Sequence, residues 1–187
     1  LGRLVETGAV PAPDPDVAAE MYIWAEQMLE AAEYEHYELS NWARPGKACR
    51  HNLTYWRNLP YLGMGAGAHS SMDGYRLANV LSPAEYISRL KTALLPEETR
   101  EHIGKAARLS ETIILGLRLE EGVDLDMLGN RFGLDAGNVY RREIDEVKRL
   151  GLLEEDGGVL RLTSRGRLLG NEVFWRFLSK EGAAGDS

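Results

Sequence analysis

Val17, Met21, Trp24, Met28 and Ala31 recur at spacings of four and three, which places them on one face of a helix. Asp14-Pro15-Asp16 precedes them with an acidic cap and a proline at the first helical position, so the helix is expected to start there. Period assigns this Met and Trp stripe to the core rather than to a cofactor. His36 to Asn41 alternates weakly and reads as a short strand leaving the helix, a βα-type rhythm. Arg44-Pro45-Gly46 breaks into a turn, residues 49–58 suit a short helix, and the glycine-rich run Tyr61 to Ser71 reads as strand or loop. Asp73-Gly74 predicts a hairpin, with Tyr75 to Val80 as the returning strand. Ser82-Pro83-Ala84-Glu85 opens a further helix with a serine cap and a glutamate in the capping-box place.

At Pro96-Glu97-Glu98 a polar stretch begins, and the pattern changes beyond it; the domain boundary is expected there. Leu109, Ile113, Ile114 and Leu117 predict one helix. Asp124 caps a second that runs through Leu125 and Leu128 to Phe132 and stops at Gly133, and Asp135 caps a third carrying Val139, Tyr140, Ile144, Val147 and Leu150. Leu152-Leu153-Glu154 and Val159 to Leu162 then flank Asp156-Gly157-Gly158 as two short strands, a winged-helix outline after three helices. Thr163 opens a last helix with Leu168, Leu169, Val173, Phe174 and Phe177. The expected organisation is an α/β chain with one domain over residues 1–95, a small helical winged domain over 96–181, and a disordered tail over 182–187.

Hydrophobic residues make up 44% of the chain and charged residues 27%, an ordinary soluble balance. A net charge of −7 argues against general nucleic-acid binding, which needs an excess of Lys and Arg. The winged outline agrees: Arg141, Arg142, Lys148 and Arg149 are interleaved with Glu143, Asp145 and Glu146, and the wing carries Glu154, Glu155 and Asp156. Packing or partner contact is the better reading. The single cysteine, Cys49, can build neither an intrachain disulfide nor a thiolate metal site, and its expected role is a buried thiol. The longest apolar runs are far too short to span a bilayer. Leu1-Gly2-Arg3-Leu4-Val5-Glu6 reads as a chain entered midway.

The densest chemistry lies in Cys49-Arg50-His51-Asn52-Leu53-Thr54-Tyr55-Trp56-Arg57. On a helix, His51 and Tyr55 share one face and Asn52 and Trp56 another. Imidazole is a usual ligand of haem iron, Tyr and Trp offer flat apolar faces, and Arg50 and Arg57 are shaped for carboxylates. A solvent-edge helix with a satisfied histidine and two packing aromatics fits the same residues. Gly63-Met64-Gly65-Ala66-Gly67-Ala68-His69-Ser70 permits close backbone approach to a ligand or tight internal packing. As a dinucleotide fingerprint it fails, since no amphipathic helix follows. His69 stands beside it, and Asn41 falls at the C-terminal end of the predicted strand, where a parallel barrel would place its site.

The run Tyr34 to Gly46 (containing Glu38-Leu39-Ser40-Asn41-Trp42-Ala43), then Cys49 to Trp56, then Tyr61 to Ser70, resembles the HemW group of radical SAM proteins, relatives of the oxygen-independent coproporphyrinogen III oxidase HemN. The likeness extends from about Leu4 to about Leu178, and the His-Asn-x-x-Tyr-Trp box is its most specific piece. The resemblance implies the C-terminal part of an incomplete βα barrel over 1–95, followed by a HemN-type C-terminal domain over 96–181. It also implies a cytoplasmic haem chaperone that passes haem to target proteins. Carried over by motif, His51, Asn52, Tyr55 and Trp56 are the haem-binding residues, with His51 facing the iron; Asn41, Ala43, Gly65 and Gly67 fall near S-adenosylmethionine or another ligand.

The family's Cys-x-x-x-Cys-x-x-Cys loop, which holds a 4Fe–4S cluster and S-adenosylmethionine, is absent from this chain, so no radical chemistry is expected of it alone. A portion of a coproporphyrinogen III oxidase is the alternative function, and a winged-helix module that binds nucleic acid or a partner is third. The resemblance leaves open a homodimer and a peripheral membrane contact through the recipient proteins.

Overall fold

The computed structural model describes residues 2–12 and 14–178, so the expected tail over 182–187 lies outside the described residues. Two compact units make up the chain, Leu1–Ala48 and Cys49–Ser187. Among the described residues no helix is long and apolar enough to cross a membrane.

The first unit holds helices α1 (Gly2–Glu6) and α2 (Pro15–Ala31) and strands β1 (Glu35–Glu38) and β2 (Asn41–Ala43). Helix α2 starts where its cap predicts: the Asp14 carboxylate accepts the N–H groups of Asp16 (2.9 Å) and Val17 (3.4 Å), with Pro15 at the first position. The single strand expected over 36–41 is instead an antiparallel hairpin, His36 facing Trp42. The fully buried carboxylate of Glu38 causes the reversal, accepting the Ser40 N–H at 3.0 Å and the Asn41 amide at 2.6 Å.

The expectation of a core stripe on α2 is corrected here. Val17, Met21, Trp24 and Met28 are exposed, Met21 by 66%. The helix turns its other side, with Tyr22 and Glu26, to the hairpin: the Tyr22 hydroxyl donates to the Leu39 carbonyl at 2.9 Å, and Glu26 lies 3.6 Å from His36. A ribbon of two strands can cover only one side of a helix.

The second unit begins with α3 (Arg50–Trp56), followed by β3 (His69–Met72), β4 (Tyr75–Asn79), α4 (Pro83–Lys91) and β5 (Glu97–His102). The three strands form an antiparallel sheet in the order β3-β4-β5. Asp73 (φ 52°) and Gly74 (φ 81°) are both left-handed, as the predicted tight hairpin requires. Ser82 caps α4 through the Glu85 N–H. Strand β5 is new: the polar run after Pro96 is an edge strand, Glu-Glu-Thr-Arg-Glu-His, almost wholly exposed and so without apolar alternation to announce it.

Then come α5 (Lys105–Gly116), β6 (Val123–Asp124), α6 (Leu125–Phe132), α7 (Ala136–Val139), α8 (Arg141–Arg149), β7 (Leu153–Asp156), β8 (Val159–Leu162), α9 (Ser164–Leu168) and α10 (Gly170–Phe177). The wing gains a third strand, the order being β6-β8-β7. Asp124 caps α6 at the Met127 N–H (2.8 Å), Gly133 ends it at φ 59°, and Asp135 caps α7 at the Asn138 N–H (2.9 Å). Leu109, Ile113 and Leu117 meet Phe132, Val147, Leu160 and Phe177 in one buried core. Gly122 is required where β6 meets the wing: at φ +73° a Cβ would stand 2.2 Å from the Leu160 carbonyl oxygen.

The predicted third helix breaks at Tyr140, whose ring packs 5.7 Å from that of Phe177. Val139 and Leu150, expected inside, are exposed in consequence. The last helix breaks likewise at Leu169, leaving Leu168 and Leu169 at the surface while Val173 and Phe177 are fully buried.

Phe177→Ala should lower unfolding free energy by about 3–5 kcal/mol, while Trp175→Ala, on the exposed side of α10, should change it by less than about 0.5 kcal/mol, both read from urea denaturation. Burial raises the Tyr140 phenol above its ordinary value, more than the nearby Ser110 hydroxyl lowers it. The unfolded chain therefore releases that proton first, and stability falls as pH rises through about 10. Urea midpoints between about pH 9 and about pH 11 should fall less steeply in Tyr140→Phe than in the parent.

Candidate functional site

Cys49 precedes α3 as its cap residue but gives no side-chain bond, and it is exposed rather than buried as expected. From there α3 sets out the His-Asn-x-x-Tyr-Trp box on two faces. His51 is exposed; its ring stands perpendicular to that of Tyr55 at 4.8 Å, and Tyr55 meets Tyr61 edge-on at 4.6 Å. An imidazole, a phenol and a second phenol thus form a row. Asn52 and Trp56 occupy the other side, both half-buried. The Arg118 guanidinium lies 4.4 Å over the Trp56 ring, and the Trp56 indole nitrogen is buried with no hydrogen-bond partner. In this arrangement Trp56 is a packing residue, while His51 offers a free ring to solvent.

The C-terminal end of α3 is tied to the helices that follow. Asn58 adopts φ 48° and donates from its amide to the Thr112 hydroxyl at 3.0 Å. Arg57 meets the carboxylate of Glu121 through two bonds of 2.8 Å, and that bond raises its already high proton affinity. Arg131 donates to the carbonyl oxygens of Arg57 (3.1 Å) and Asn58, which places a cation at the negative end of a helix. Burial lowers its proton affinity, and the nearby Arg108 lowers it further. Beside Trp56 these ties border a mainly apolar groove of about 650 Å³, with Leu119, Val123 and Leu128 in its wall.

In the glycine-rich loop, Gly65 donates its N–H to the Tyr86 hydroxyl (3.0 Å) and Gly67 donates to the Val80 carbonyl (2.9 Å). The buried amide of Asn79 donates to the carbonyls of Gly63 (3.3 Å) and Gly65 (2.9 Å). The loop's amides at 65 and 67 are therefore engaged internally. His69 is exposed at the start of β3. Asn41 and Ala43 lie on β2 of the first unit, half-buried, with the Asn41 amide held by Glu38. The structure brings His51 together with Tyr55, and Asn52 with Trp56 only as helix neighbours. Tyr61, Arg118, Glu121 and Arg131 were not singled out from sequence; the partners of the last three are distant along the chain, and no local spacing marks them.

Residues 103–169 match the family model described as the HemN C-terminal domain. The chain is 40% identical to the heme chaperone HemW of Mycobacterium tuberculosis (strain H37Rv), over 92% of this chain and 42% of that protein. It is 33% identical to the heme chaperone HemW of Bacillus subtilis (strain 168), over 95% of this chain and 47% of that protein. It is 31% identical to the mitochondrial radical S-adenosyl methionine domain-containing protein 1 of Bos taurus, over 94% and 42% respectively. The chain thus spans less than half the length of these relatives. Among solved structures, the coproporphyrinogen III oxidase HemN of Escherichia coli, described as a radical SAM enzyme, superposes with a TM-score of 0.66 at 16% identity. That match covers 88% of this chain and 42% of that one, and it bears out the α/β fold read from the sequence.

Arg131→Ala should cost about 1–2 kcal/mol of stability, because two charge-assisted bonds to the carbonyls that follow α3 disappear together. Arg57→Ala breaks a more exposed pair and should cost below about 1 kcal/mol. Chemical denaturation of the two variants gives the ranking.

Proposed function

This chain belongs to the HemW group of HemN-related radical SAM proteins, and we propose on that footing that it binds haem and delivers it to target proteins. The supporting observation is the free imidazole of His51, presented to solvent on α3 with its ring braced by Tyr55. An exposed imidazole with no hydrogen bond among the described residues can take an axial position on iron directly. Tyr55 and Tyr61 extend an aromatic row beside it, which suits the flat face of a porphyrin. Asn52 and Trp56 act from the second face: Trp56 fixes the helix through Arg118 and edges the apolar groove. The half-exposed site would release as well as hold, as delivery requires.

The division into a barrel-derived part to residue 95 and a C-terminal domain over 96–181 belongs to the same reading, supported by the family match over 103–169. A cytoplasmic setting and recipient proteins for the haem also belong to it. A 4Fe–4S cluster does not fit this chain's own donors: Cys49 is its single thiol, and among the described residues no three His, Cys, Asp or Glu side chains gather to hold a metal. No step through that cluster or S-adenosylmethionine is assigned to these residues.

Haem titrated into the chain should give a saturable Soret band that His51→Ala abolishes or weakens by at least about tenfold in Kd. A band of equal strength in the variant would remove His51 as the ligand, and no band in the parent chain would contradict the haem reading.

A further inference from the structure

Between the turn of the β3–β4 hairpin and helices α5 and α6 lies a polar cavity of about 40 Å³, into which Arg76, Arg108 and Arg131 converge with Asn58, Ser71 and Gly74. Among the described residues only one of the three cations is neutralised. Arg76 donates its Nη2 to both carboxylate oxygens of Glu111, at 3.2 and 3.0 Å. Arg131 binds two carbonyl oxygens and has no carboxylate partner among the described residues. Among the described residues the Arg108 guanidinium makes neither a hydrogen bond nor an ion pair; its carbon lies 5.8 Å from the Phe132 ring centroid, and that of Arg131 lies 5.5 Å from the same centroid. Two like charges are thus gathered on one aromatic ring, in a chain whose net charge is −7. The cavity's other carboxylate, Asp73, sits in the hairpin turn with no ion pair among the described residues.

Such crowding is unfavourable unless something negative answers it. We infer that Arg108 and Arg131 form a binding site for an oxyanion, the carboxylate or phosphate group of a ligand, with Asn58 and Ser71 as further polar contacts. The Arg108 fork has all its donors available, a geometry that matches either group with paired bonds. Gly74 leaves the cavity floor clear, since a Cβ there would stand 3.4 Å from the Arg108 Nη1. Asp73 opposes the incoming charge and sets a ceiling on affinity. The site stands apart from the His51 face and does not depend on the haem reading.

Titration of the chain with sodium phosphate and, separately, sodium acetate, against sodium chloride at equal ionic strength, tests the site by backbone amide shifts. The expected result is a saturable response of the amides around Ser71, Gly74 and Arg108 to one or both oxyanions. The anion that acts identifies the ligand group. Arg108→Gln should weaken the response about tenfold, and Asp73→Asn, which keeps the turn, should strengthen it severalfold. Responses equal to those of chloride, or an unaltered response in folded Arg108→Gln, would overturn the assignment.

Discussion

The guanidinium of Arg131 on the carbonyls of Arg57 and Asn58, just past the end of α3, is the tie on which the placing of that helix depends. A helix of seven residues with no buried side chain cannot hold itself together, since helix nucleation is costly and its tertiary contacts are few. Its place is set at its C-terminal end: by Arg131 at its negative pole, by the Arg57–Glu121 pair, by Asn58 on Thr112, and by Arg118 on Trp56. All these partners lie on or between α5 and α6, next to the buried core built by Leu109, Ile113 and Leu117. Presentation of His51 is thus a property of the following helical domain as much as of the box that contains it.

This arrangement divides the box by role. His51 is exposed with the half-buried Tyr55 ring beside it, while Trp56, also half-buried, packs beneath Arg118 and helps to hold the helix. Under the proposed function, a ligand held on the exposed face could be handed over without unfolding the support behind it. The HemN structure shares the fold over most of this chain at 16% identity, so the scaffold is common ground at low sequence identity.

Local signals were legible in the sequence because their physics is local. Asp14, Ser82, Asp124 and Asp135 each cap the helix expected of them, and Gly133 and Asp73-Gly74 adopt the left-handed backbone their turns need. The i, i+4 pairing of His51 with Tyr55 was legible for the same reason. Periodicity misled where tertiary structure chose the face: the Met21 and Trp24 stripe is regular but exposed, since the hairpin covers the opposite side of α2. Tyr140 and Leu169 interrupt helices whose pattern runs on, and β5 is made almost wholly of exposed polar residues. The ties at Glu121 and Arg131 join residues more than sixty positions apart, which no spacing rule can reveal.

The account turns on histidine ligation from the exposed face of α3. The most direct measurement is electron–nuclear double resonance of the ferric haem complex, prepared from chain labelled with nitrogen-15 in its histidines. The account predicts a strong nitrogen-15 coupling in the parent chain that is missing from His51→Gln. A coupling unchanged in the variant, or absent from both, would contradict it.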